Sequence, residues 1–95
     1  MQVRKRVDGC LEMAFVRSAG GGARLGVIVS RRFLPRAVDR NAVKRIVREA
    51  FRLKCALLPD GDVLIRLRQS LKDRPAVEWR GEVAAEAGNL LDSIK

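Results

Sequence analysis

Apolar and polar residues alternate loosely over residues 10 to 17, CLEMAFVR, which is the period of a half-buried β-strand. Leu11, Met13 and Phe15 share one face; Cys10, Glu12, Ala14 and Val16 share the other. Three glycines at 20 to 22 predict a turn. ARLGVIVS, residues 23 to 30, then predicts a second strand, apolar on both faces and joined to the first as an antiparallel hairpin. Pro35 stops that strand. From about Ala37 to Leu57 the period becomes helical. Val43, Ile46, Val47, Ala50, Leu53 and Leu57 fall within an arc of ~120° and predict a core stripe. Pro59-Asp60-Gly61 ends the helix, and DVLIRLR, residues 62 to 68, predicts a third strand. After a polar loop, residues 76 to 94 predict a second helix with Trp79, Val83, Ala87, Leu90, Leu91 and Ile94 on one side, weakened by Gly81 and Gly88. The sum is an α+β fold: a small mixed sheet of about three strands with two helices against it, as one domain over residues 1–95.

Charge changes the picture. The net charge is +9 and 47% of residues are hydrophobic, so this is a folding sequence and not a basic tail. The excess is localised. Residues 24 to 54 hold ten basic side chains against Asp39 and Glu49, whereas residues 55 to 95 hold six basic and seven acidic ones. Such clustering suits a polyanionic partner better than it suits solubility alone.

The basic residues of the first helix form a ridge. Arg40, Asn41, Lys44, Arg45, Arg48 and Arg52 lie within an arc of ~140°, opposite the apolar stripe. Like charges at i,i+4 repel, and cations in the first turns oppose the helix dipole. A helix shaped for stability alone would carry acids there. A phosphate chain reverses the sign of both effects, and arginine adds a fork that matches phosphate oxygens. Asn41, of little helix-forming merit, fits a hydrogen-bonding role. Charge and geometry leave three partners open: a DNA groove, a folded RNA of ribosomal type, or a specific RNA assembly. No helix-turn-helix pair supports the first.

Other chemistry is sparse. Histidine is absent, and two cysteines make neither a disulfide framework nor a four-ligand metal site. Cys10 and Cys55 read as small core residues in a reducing, cytoplasmic setting. Asp60 and Asp62 sit at a turn, where aspartate is expected without any metal. Glu12, Asp39 and Glu49 form no visible cluster. No catalytic or metal-ligating residue is therefore assigned, and an autonomous nuclease is not expected. No apolar run is long enough for a membrane span, and no membrane partner is expected. Phe51 and Trp79 read as packing residues.

Ser30-Arg31-Arg32, Ala37-Val38-Asp39-Arg40-Asn41, Lys44-Arg45, Arg48-Glu49 and Phe51-Arg52 resemble the signature of the bacterial ribonuclease P protein component. That family carries an R-N-x-x-K-R-x-x-R helix, the RNR motif. RLGVIVSRR before the helix and PDGDVLIRLR after it are similar to the flanking strands, so the resemblance covers roughly residues 10 to 92. It implies the protein subunit of an RNA enzyme that removes the 5′ leader from precursor tRNA. The chemistry belongs to the RNA and to Mg2+ held mainly by RNA and substrate. It implies that Arg31, Arg32, Arg36, Arg40, Asn41, Lys44, Arg45, Arg48 and Arg52 contact ribonuclease P RNA. It implies a left-handed βαβ crossover, which periodicity does not predict. Met13 and Phe15 are candidates for contact with the leader, weighed against a place in the core. Family members usually open with a helix ahead of the first strand, and it forms one wall of the leader cleft. Nothing like it precedes residue 10, so a chain without that helix is expected, with one sheet face uncovered.

Overall fold

A computed structural model describes residues 3–94. The elements are β1 (Val3–Asp8), β2 (Leu11–Arg17), β3 (Ala23–Ile28), α1 (Ala37–Lys54) with a 3-10 turn at Cys55–Leu57, β4 (Gly61–Leu67) and α2 (Ala76–Asp92). The four strands form one sheet in the order β1-β2-β4-β3. β2 runs antiparallel to β1 and to β4, while β3 and β4 are parallel. A parallel pair needs a crossover, and α1 supplies it.

Period-2 alternation decides the faces. Leu11, Met13, Phe15, Val63, Ile65 and Leu67 are all buried and point to the helices. Register places Met13 beside Ile65 and Ile65 beside Val27, so the core runs straight across three strands. α1 lies over β3 and α2 over β1 and β2, and the two helices pack on each other. Val43 and Val47 from α1 meet Trp79, Val83, Ala87, Leu90 and Leu91 from α2 in that core.

The structure corrects four expectations. The sheet has four strands, because Val3–Asp8 pairs with β2. Its sequence, VRKRVD, is too charged for alternation to reveal it. β2 and β3 are not a hairpin, since β4 lies between them. β3 is an edge strand alternating half-buried and exposed, not a doubly buried one. The core stripe of α1 is also narrower than the wheel suggests: Leu53 is 66% and Leu57 is 86% exposed. Leu57 lies in the 3-10 turn, where a spacing of ~100° per residue no longer applies. Leu53 lies at the margin of the stripe, in an open cleft shared with Ala84 and Gly88 of α2.

Glycine is required at two tight places. Gly9, with φ 56°, opens the two-residue turn between β1 and β2, and a Cβ there would strike the Glu86 carboxylate. A Cβ on Gly61 would lie 2.5 Å from the Val16 carbonyl oxygen and 2.8 Å from the Phe15 ring. Glu86 also ties α2 to the turn. Its Oε1 accepts from the Cys10 backbone N–H and from the Cys10 thiol, each at 3.0 Å.

Burial, followed by the bond to Glu86 and its charge, pushes the Cys10 thiol up from 9.0 to about 12. The thiol is thus neutral in the fold well after it would ionise in an unfolded chain. Its contribution is complete below pH 9.0 and is lost as pH rises through about 12. Urea unfolding at about pH 8 and about pH 10.5 should show a fall in stability that is smaller in Cys10→Ser, which keeps a donor to Glu86 but does not titrate there. Equal falls in both proteins would remove Cys10 as the cause.

Candidate nucleic-acid interface

The segment between β3 and α1 is a tight, pinned connector. The backbone N–H groups of Phe33 and Leu34 both donate to the Ser30 carbonyl, and the Leu34 side chain is buried. Pro35 keeps Leu34 out of the helical region. Arg36 follows as an extended N-cap without a side-chain capping bond. Arg40 then reaches back, donating Nη1–H to the Leu34 carbonyl at 2.9 Å and the Pro35 carbonyl at 2.7 Å. Of the site residues expected from sequence, Arg40 is the one whose side chain fixes the start of its own helix. Arg31, Arg32 and Arg36 are exposed on the connector, and Arg36 makes only a 4.0 Å contact with Asp39.

Along α1, Asn41, Arg45, Arg48 and Arg52 are exposed and Lys44 is half-buried, while Val43 and Val47 on the far side are fully buried. The expected ridge is therefore brought together on one surface. Lys44, Arg45 and Arg48 make no ion pair among the described residues. Arg52 is different. Its Nε donates to Glu49 Oε2 at 3.0 Å and its Nη2 to Glu49 Oε1 at 2.5 Å. That bond holds the Glu49 carboxyl below the usual carboxylate range and raises Arg52 further. Between Asn41, Arg45, Arg48, Glu49 and Arg52 lies an open concavity of about 340 Å³. Forked donors around a shallow, open hollow suit phosphate oxygens and bring no nucleophile or proton shuttle. Among the described residues, no group of three or more His, Cys, Asp or Glu side chains could hold a metal ion. Asp62 is paired with Arg24 at 3.0 Å.

Met13 and Phe15 do not reach this or any other surface. They are 1% and 5% exposed, on the helix-covered face of β2. Contact with a leader through these two side chains is therefore corrected: strand parity turns them inward. Phe51 also packs against the core, as its place at the edge of the ridge allows.

The opposite face of the sheet is uncovered among the described residues. Here Lys5, Glu12, Ala14, Ile28, Leu64 and Arg66 line a shallow cleft of about 200 Å³. Glu12 sits directly across from Arg66 and bonds it at 3.0 Å. Sequence reasoning missed this surface. Arg66 and Leu64 were legible as the outward residues of DVLIRLR, but Lys5 lies on the strand that alternation did not reveal.

A family model described as Ribonuclease P matches residues 2–90. The chain is 47% identical over 85 residues to the ribonuclease P protein component of Paraburkholderia xenovorans (strain LB400), covering 84% of this chain and 61% of that protein. It is 49% identical over 64 residues to that of Bordetella parapertussis, covering 67% of this chain and 52% of the relative. The chain thus spans between half and two thirds of these curated relatives. The fold is similar to that of the ribonuclease P protein from Thermotoga maritima solved with 1-(4-fluorophenyl)-2-thiourea: TM-score 0.80, 29% identity, 99% of this chain and 88% of that one. The Staphylococcus aureus protein, at TM-score 0.77 and 21% identity over 95% of this chain and 79% of that one, shares the fold.

Glu49 restrains the ridge. Replacing it by Gln removes the charge that holds Arg52 and should steepen the log–log salt dependence of binding to a folded RNA by about one unit while raising affinity. Filter binding across a salt series measures this; an unchanged slope would mean that Arg52 takes no part in binding.

Proposed function

The chain belongs to the ribonuclease P protein family, and from that premise we propose that it serves as the protein subunit of a bacterial ribonuclease P. In this reading it binds the catalytic RNA through α1 and the connector, and it assists removal of the 5′ leader from precursor tRNA. The observation that carries it is the Arg40-Asn41-x-x-Lys44-Arg45-x-x-Arg48 ridge, with Asn41, Arg45 and Arg48 exposed and Arg40 and Lys44 half-buried, unrelieved by acids at its centre and mounted on this family's fold. Arg45 and Arg48 engage phosphates in forked bonds; Asn41 and Lys44 fix the register; Arg31, Arg32 and Arg36 extend the contact across the connector; Arg52 borders it.

Among the described residues, no cluster of ligating side chains offers a place for a resident metal. Mg2+ enters this proposal as an ion held by RNA and substrate, and cleavage is the work of that RNA. The protein's part is to neutralise phosphate charge where two RNAs approach. The leader is assigned to the open sheet face, not to Met13 and Phe15. Ala14, Ile28 and Leu64 offer an apolar floor, and Lys5 and Arg66 offer cations at its edge. A free thiol at Cys55 and no helix long and apolar enough to cross a membrane among the described residues agree with a cytoplasmic site of action.

Arg45→Ala with Arg48→Ala should lower affinity for ribonuclease P RNA roughly tenfold or more and reduce the salt slope by about two. The circular dichroism spectrum should not change, because neither side chain enters the core. Competition with an unrelated structured RNA supplies the contrast. Equal binding of both RNAs by the wild-type chain would replace this proposal with a general RNA-binding role of ribosomal type.

A further inference from the structure

The part of the chain after α1 was electrically unremarkable in sequence, with seven acids against six bases over residues 55 to 95. Folding separates those charges. Arg74 is taken by Glu82 through two bonds at 2.8 and 2.9 Å, Asp92 pairs with Lys54, and Glu86 is held by Cys10. Asp62 is held by Arg24 on the open face. Arg68 and Lys72 remain exposed with no ion pair among the described residues.

Topology brings this pair to the arginines of the connector. Because β3 and β4 are parallel, their carboxyl ends lie side by side, and the segments that follow them are neighbours. The contacts are direct. The Leu71 backbone N–H donates to the Phe33 carbonyl at 3.0 Å, Ser70 Oγ–H donates to the same oxygen at 3.4 Å, and the Leu71 side chain is buried as a plug. At its other end the loop is tied to the β1–β2 turn: the Arg68 N–H donates to the Cys10 carbonyl at 2.8 Å and its Nη1–H to the Gly9 carbonyl at 3.2 Å. Arg31, Arg32, Arg68 and Lys72 thus project from two backbone segments that are bonded to each other at the carboxyl ends of β3 and β4. Of the acids near these four in sequence, Asp39 contacts Arg36 and Asp62 is held by Arg24, while Asp73 forms no ion pair among the described residues.

We infer that Arg68 and Lys72, with Arg31 and Arg32, form a second phosphodiester-binding site, continuous with the start of α1 and turning the RNA contact from the helix onto the end of the sheet. This inference rests on the RNA-binding reading of α1. The ligand chemistry is the backbone of a folded RNA, which two sources could present: ribonuclease P RNA or precursor tRNA. All four are exposed cations without an ion pair among the described residues, a surface that favours a polyanion.

The test uses the full chain and both RNAs in parallel salt series. Arg68→Ala with Lys72→Ala should weaken binding severalfold and lower the log–log slope by one to two for at least one RNA, and the RNA affected names the source. Lys72→Glu, which leaves the Arg68 bond to Gly9 in place, should act in the same direction, so a folding defect cannot imitate the result. Arg80→Ala, an exposed cation on α2, is the control and should leave both slopes unchanged. Wild-type slopes for both RNAs in the Arg68/Lys72 variants, with binding lost in Arg45→Ala/Arg48→Ala, would overturn this inference and leave the ridge reading standing. Unchanged binding in all of them would overturn both.

Discussion

The fold depends on β4 holding two different neighbours. Its inward residues Val63, Ile65 and Leu67 complete the core, and its backbone pairs antiparallel with β2 and parallel with β3. The parallel side is the consequential one. It forbids a tight hairpin between β3 and β4 and forces a helical crossover, so α1 must lie across the sheet with one face buried. Val43 and Val47 are that face. The remaining surface of α1 is then presented outward on a rigid base, at the sheet end where the connector and the loop after β4 also emerge. The basic residues do not have to find each other; pairing of two strands places them.

Electrostatics works against this arrangement in the free protein. Lys44, Arg45 and Arg48 repel one another along the helix, and the N-terminal end of the dipole adds to the strain. Glu49 relieves only Arg52. Exposed repulsion of this kind is weak beside core burial and is screened by salt. The fold can therefore carry it, and a phosphate chain converts it into attraction. The other face of the sheet is built differently. There, acids and bases are matched in register, Glu12 with Arg66 and Asp62 with Arg24, around Ala14 and Leu64. One surface is primed for charge neutralisation; the other offers a mild, mixed platform.

Much of this was legible before folding. The helical period of residues 37 to 54, the alternation of β2 and β4 and the stripe of α2 are strong because each buries one face. The ridge was legible for the same reason: whatever is opposite a buried stripe is exposed. What failed has physical causes. Alternation reports burial, and Lys5 and Arg6 in β1 are exposed and leave no signal. Sequence proximity of β2 and β3 suggested a hairpin, but β4, far off in sequence, lies between them and pairs with both. Met13 and Phe15 were weighed as ligand contacts from their chemistry, when parity with Leu11 already turned them inward. Arg68 and Lys72 were hidden by averaging, because Asp62, Glu82, Glu86 and Asp92 are held by partners known only from three-dimensional contacts.

The central claim is that this chain lends its cationic surface to an RNA that performs the cleavage. The most direct measurement is the rate at which a bacterial ribonuclease P RNA cleaves precursor tRNA at low Mg2+, with and without the chain. The account predicts a slow RNA-alone rate that the chain raises. No acceleration, together with no preference for that RNA over an unrelated one, would contradict it.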